Sequence, residues 1–192
     1  MKQDIILAGV GGQGILSIAY VIDNAALADG LFFKQAEVHG MAQRGGAVQS
    51  HMRLSDATIW SDLIPKGEAD MILSVEPLEA LRYLDYLRPD GIVVTSSTPF
   101  RNIPDYPEIE KVLEALRKAP RSVVIDSEKL AKESGTVKAQ NVVLLGAAAS
   151  FLIIKEKSLL GTIETLFRDR GPTVLEANLK AFVLGRKAAT GS

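Results

Sequence analysis

The side chains that could do chemistry gather around two glycine-rich runs. The first is Gly9-Val-Gly-Gly-Gln-Gly14, whose Gly9, Gly11 and Gly14 fall at the spacing of a dinucleotide fingerprint. A glycine turn that opens a helix aims several backbone N–H groups at one spot, and the helix N-terminus adds partial positive charge there. Without Cβ atoms in the way, a phosphate or another backbone can come close. The chemistry on offer from Gly9, Gly11, Gly12, Gln13 and Gly14 is therefore anion binding. Tight packing of a helix on a sheet is the purely structural alternative.

The second run is Ala36-Glu-Val-His-Gly-Met-Ala-Gln-Arg-Gly-Gly46. It fits neither an amphipathic helix nor a clean strand, and is expected to be a shaped loop, where function concentrates. Both histidines, His39 and His51, lie in it or just after it. Arg44 is the best single candidate for an anion or carboxylate contact, because a guanidinium binds those bidentately. An ion pair with Glu37 is its structural alternative. His39 could donate to a phosphate, sit on a subunit interface, or hydrogen-bond within its own loop. No residue is assigned a catalytic role.

The elements that must position these runs can be read in order. Ile5–Ala8 is a buried strand, and Ile15, Ile18, Ala19, Ile22 and Ala26 give the following helix its inner face. That helix should close at Asp29-Gly30. Leu31–Phe33 begins a second strand. Ala47–Leu54 alternates, with Val48, Met52 and Leu54 on one face and Gln49, His51 and Arg53 on the other. That second face needs water or a partner, so His51 and Arg53 are expected at a surface or an interface. Ser55-Asp56-Ala57 reads as a turn, with Thr58-Ile59-Trp60 the strand returning as a hairpin. Trp60 is expected as core filler or as an interface anchor.

Further on, Ala69–Val75 is a buried strand. Glu76-Pro77 opens a helix with Leu78, Leu81 and Leu84 inward, closed by Pro89-Asp90-Gly91. Ile92–Thr95 and Ser122–Ile125 are further strands. Ser96, Ser97 and Thr98 are read as turn chemistry. A short helix over Glu108–Lys118 lies between them, and Asp126 caps one that runs through Leu130. Three helices finish the chain, over Asn141–Ile154, Ser158–Phe167 and Thr173–Lys187. The first is rich in small residues, which invites close packing. The last opens on a capping box, Thr173 to Glu176, with Leu175, Leu179, Phe182 and Val183 buried. The expected fold is α/β: a single Rossmann-like domain over residues 1–192, its mainly parallel sheet flanked by helices, with a β-hairpin and a helical C-terminal third.

Composition narrows the function classes. The chain has 192 residues and a formal net charge of −1, which gives no electrostatic footprint for nucleic acid. It has no cysteine, and so no thiolate for a disulfide, a zinc site or an iron–sulfur cluster. No signal peptide or bilayer-length apolar run is visible, so a cytoplasmic location with no membrane partner is expected.

A dinucleotide site wants an acidic residue near twenty positions past the glycines, and Glu37 falls about there. A basic, glycine-rich loop follows it at once, which an ordinary dehydrogenase does not need. Together, Gly9–Gly14 and Glu37-Val-His-Gly-Met-Ala-Gln-Arg-Gly-Gly46 resemble the gamma-type subunit of 2-oxoacid:ferredoxin oxidoreductases, most of all the small subunit of the indolepyruvate enzyme. Gly67-Glu-Ala-Asp70, Glu76–Leu84, Asn141–Gly146 and Asn178–Phe182 agree with it, so the resemblance covers nearly the whole chain. Sister subunits for pyruvate keep the glycine turn but usually differ over Val38–Gln43.

The resemblance implies a shared enzyme. Thiamine diphosphate and magnesium act on the 2-oxoacid, [4Fe-4S] clusters carry electrons to ferredoxin, and coenzyme A takes the acyl group. It places thiamine diphosphate and the clusters in large partner subunits, with none held by this chain alone. The glycine turn, His39 and Arg44 would then bind coenzyme A or dock the partner, and the isolated chain would be inactive; apolar surface left exposed without its partner would favour a homodimer. A gamma subunit of the pyruvate or 2-oxoglutarate enzyme, a stand-alone nucleotide-binding enzyme, and a scaffold whose glycines serve packing alone are the competing readings.

Overall fold

The computed structural model describes residues 1–39 and 45–191. Among these, six strands form one sheet: β1 (Lys2–Val10), β2 (Phe32–His39), β3 (Ala47–Ser55), β4 (Ala69–Ser74), β5 (Leu87–Ser96) and β6 (Ser122–Ile125), in the order β2-β3-β1-β4-β5-β6. β1, β4, β5 and β6 run parallel, while β3 pairs antiparallel with both β1 and β2. The helices are α1 (Ile15–Ala28), α2 (Pro77–Arg82), α3 (Ile109–Arg117), α4 (Ser127–Ser134), α5 (Gln140–Ala149), α6 (Glu156–Phe167) and α7 (Pro172–Thr190).

Strand alternation sorts the core into two layers. Ile5, Leu7, Met71, Leu73 and Val94 point to the side of α1, α5, α6 and α7. Ile6, Ile72 and Val93 point to α2 and α3. The chain therefore leaves β1 to one face and β4 to the other. The crevice between the C-terminal ends of those two neighbours is where open α/β sheets bind ligands.

The α5–α7 contact explains the run of small residues. A Cβ on Gly146 would lie 2.0 Å from the Phe182 carbonyl oxygen, and one on Gly185 would lie 1.8 Å from that of Val143. Backbone meets backbone, and α5 is buried from Asn141 to Ala149.

Several expectations need correction. Residues 36–39 belong to strand β2, because their backbone pairs with β3 from Val48 to His51. The hairpin is β2–β3. Thr58-Ile59-Trp60 is not a strand, since both edges of β3 are already occupied. Helix α2 ends at Arg82, with Leu84 in a separate 3-10 turn. Pro89-Asp90-Gly91 lies inside β5, beside the register shift between Ala69 and Met71, an irregularity of the kind that tolerates proline. Helix α5 stops at Ala149 and α4 runs on to Ser134. Thr173 sits within the first turn of α7, which Gly171 and Pro172 open without a side-chain cap. Its buried stripe is Ala177, Asn178, Ala181, Phe182 and Gly185, with Val183 exposed.

His51 and Arg53 are not at the surface. The chain's own 58–64 segment covers them. His51 Nδ1 accepts the Ile64 N–H at 3.0 Å, so the imidazole proton sits on Nε2. Burial lowers the His51 pKa, against the pull of Asp62, and the ring is neutral near pH 7. Arg53 grips the buried Asp4 through Nε at 2.9 Å and Nη2 at 3.1 Å, while Nη1 donates to the carbonyls of Ser61 and Leu63. Trp60, on this segment, is 89% exposed and fills no core.

Candidate functional site

The site starts from the turn between β1 and α1. Gly12 has φ 100° and Gly14, which caps α1, has φ 82°, so both stand in the left-handed region that favours glycine. Gly9 makes room for packing: a Cβ there would lie 2.7 Å from Ile15 Cδ1. Gln13 folds back on the turn. Its N–H donates to the Val10 carbonyl at 3.1 Å, and its Oε1 accepts the Val10 N–H at 2.8 Å. The Gln13 side-chain oxygen is thus used inside the turn, and its amide NH₂ has no acceptor among the described residues.

The two glycine runs meet. Gly11 N–H donates to the Gly46 carbonyl at 2.8 Å, Gly45 N–H donates to the Gly11 carbonyl at 3.3 Å, and Asn102 Nδ2 donates to the Gly45 carbonyl at 2.8 Å. Asn141, at the start of α5, donates from Nδ2 to the Gly14 carbonyl at 3.2 Å. With Gly11 and Gln13 engaged, the N–H groups of Gly12 and Gly14 have no acceptor among the described residues. His39 lies at the end of β2, opposite Val48. Arg44, with the rest of 40–44, falls outside the described residues.

Two clefts flank the turn. One, of about 670 Å³, opens between the turn and α4, α5 and α7, and its lining includes Gly12, Gly14, Lys138, Arg170 and Lys180. Three cations face a single carboxylate there, Glu176. The N-termini of α1, α5 and α7 all border it, and each brings partial positive charge. The other, of about 470 Å³, lies over the strand ends and is lined by Val75, Thr98, Pro99, Phe100, Val137 and Gln140 among others. Gly12, Gln13 and Lys138 line both.

Glu76 shapes the second cleft. It is buried, caps α2 by accepting the Glu79 N–H at 2.8 Å, and accepts from Phe100 N–H at 3.2 Å and Tyr106 OH at 2.5 Å. The Tyr106 pKa is raised, first by burial and then by that carboxylate. The connection after β5 is thereby held over the strand ends. Ser96 and Thr98 do serve as turn chemistry: Ser96 Oγ bonds Ser127 Oγ at 2.8 Å and accepts the Thr98 N–H at 3.0 Å.

The structure places the glycine turn on the walls of both clefts and brings Lys138, Arg170, Lys180 and Asn141, which no motif in the sequence singles out, to the first of them. The one local hint is the expected start of a helix at Asn141. Among the described residues no cluster of three or more histidines, aspartates or glutamates could hold a metal ion. No helix among them is long and apolar enough to cross a membrane.

Comparison with known proteins gives the family and the fold. The family model described as pyruvate ferredoxin/flavodoxin oxidoreductase matches residues 4–188. The indolepyruvate oxidoreductase subunit IorB of Pyrococcus horikoshii is 38% identical, over 98% of this chain and 97% of its own. The gamma subunit of a keto/oxoacid ferredoxin oxidoreductase from Geobacter sulfurreducens has the same fold, with a TM-score of 0.74 at 23% identity over 99% of each chain. A 2-oxoglutarate:ferredoxin oxidoreductase from Magnetococcus marinus, solved with 2-oxoglutarate, coenzyme A and succinyl-CoA bound, matches at a TM-score of 0.79 and 22% identity; all of this chain is covered, and 31% of that one. With an α/β sheet, a glycine turn and near full-length likeness in agreement, the chain belongs to the pyruvate ferredoxin/flavodoxin oxidoreductase family, as a small, gamma-type subunit.

Proposed function

We propose that this chain, as one domain over residues 1–192, serves an indolepyruvate or other aryl-2-oxoacid:ferredoxin oxidoreductase in the cytoplasm, and that its cleft beside the glycine turn binds the phosphates of coenzyme A. The observation that supports this is that Gly12 and Gly14, whose N–H groups have no acceptor among the described residues, line the same cleft as Lys138, Arg170 and Lys180. Backbone donors at a helix N-terminus together with lysine and arginine suit a pyrophosphate. The residues present do not fit a cluster, since there is no cysteine. The [4Fe-4S] clusters are therefore assigned to the large subunit, together with thiamine diphosphate and magnesium, which the family resemblance places there; they would supply decarboxylation and electron transfer to ferredoxin. This chain's part is to orient the acyl acceptor, with Gly12 and Gly14 donating to phosphate oxygen, Lys138 neutralising charge, and Asn141 holding the turn. Isolated, the chain is inactive and forms a homodimer.

In the reconstituted complex, Lys138→Ala should raise the KM for coenzyme A about ten-fold or more with kcat little changed, as expected for loss of one charge-assisted contact made equally in ground and transition states. Gly12→Asp should do worse, because it puts a carboxylate among the donors. An unchanged KM in both variants would overturn the reading. The exposure of Phe100 and Val137 around the second cleft favours a second role for this surface, docking of the large subunit. If Gly12→Asp abolishes co-purification instead of raising KM, docking is the function of the turn.

A further inference from the structure

Strand β2 is an outer edge of the sheet, with its far side unpaired among the described residues. Such an edge is a template for another strand. Phe32 and Val38 on it are about half exposed. Next to it, α1 carries an apolar stripe of Leu16, Tyr20 and Leu27, also about half exposed. The sheet lies beneath α1, and α5 and α6 pack on two more of its flanks. The stripe is thereby left on the flank over the β2 edge.

We propose that a second copy of this chain docks here, β2 against β2 about a two-fold axis. This assigns the surface for the homodimer reading above and rests on it. The edge is self-complementary. A two-fold axis normal to the sheet keeps each strand's faces, so paired residue numbers must share parity. Centring the axis on Gln35 sets Phe32 opposite Val38 of the second copy, twice over. Lys34 then meets Ala36, so no like charges stand opposite each other. Apolar cross-strand pairs of this kind stabilise a ladder. An eight-residue strand alone falls short of the roughly 800 Å² per partner that a stable interface buries. The two α1 stripes, brought together across the same axis, add their exposed Leu16, Tyr20 and Leu27 to the buried area.

The test uses the full-length chain in analytical ultracentrifugation. The wild type should be a dimer. Tyr20→Glu and Val38→Lys, each present twice across the axis, should weaken it about a hundred-fold, at about 1.4 kcal/mol per copy, with unfolding midpoints unchanged at dilutions where the wild type is itself monomeric. Because the chain has no cysteine of its own, Gln35→Cys should cross-link to itself under mild oxidation, and Lys34→Cys much less. A monomeric wild type would overturn the homodimer reading and this surface with it. A dimer that survives both substitutions, with no preference for position 35, would overturn the surface alone.

Discussion

Asp23 lies on the buried side of α1, with Oδ1 unpartnered among the described residues, and desolvation raises its pKa to about 7. In the unfolded chain the group titrates near 3.9, so folding takes up a proton between those values. Its contribution is fully present below pH 4, falls from there, and is lost as pH rises through 7. Asp23→Asn should raise the melting temperature more at pH 8 than at pH 4.5, measured by calorimetry at matched ionic strength. Arg53 runs the other way. Removing it strands the buried Asp4 carboxylate with Lys2 and frees the carbonyls of Ser61 and Leu63. Arg53→Ala should cost about 3 kcal/mol in urea denaturation. At this scale the tight turn between β1 and α1 was legible, because its glycines fall in one short run and their spacing has a mechanism. Lys138, Arg170 and Lys180 were not, because they come from three separate elements and no local pattern links them. His51 and Arg53 were misplaced for a related reason: alternation shows which face a residue takes, but not that a later segment will cover that face.

Elements divide the glycines into those that permit contact and those that do not. On α7, Gly185→Ala would drive a methyl into the Val143 carbonyl and push α5 and α7 apart. The expected loss is about 3 kcal/mol, at the upper end for overpacking. On α6, a Cβ added at Gly161 would meet nothing within 4 Å, so Gly161→Ala should gain about 0.7 kcal/mol from helix propensity. Chemical denaturation of the pair checks both signs. The small-residue run of α5 announced this packing, and the strands β1, β4, β5 and β6 announced themselves by apolar runs. Strand β2 did not. Its residues 34–37 are largely polar, and as an edge strand it draws its order from pairing with β3 rather than from a buried face. The false returning strand at 58–60 was a competition for an edge of β3 that β1 and β2 had already taken.

At the scale of the whole molecule, the sheet separates tasks by direction. Its C-terminal end holds the glycine turn and both clefts. Its opposite end holds the Asp4–Arg53 pair and, through it, the segment that carries Trp60. Coenzyme A bound in the cleft should raise the melting temperature of the assembled enzyme in proportion to the logarithm of its concentration once above Kd, and Lys138→Ala should shift the onset of that rise to higher concentration.

Trp60 is the sole tryptophan, standing almost wholly in water. That makes the polypeptide its own optical reporter. Emission from the free chain will be that of a solvated indole, quenched readily by iodide or acrylamide. Loading the cleft, at the far end of the strands, should leave the spectrum alone. Any companion surface that closes over this ring will announce itself by a blue shift and protection from quencher, with no label attached.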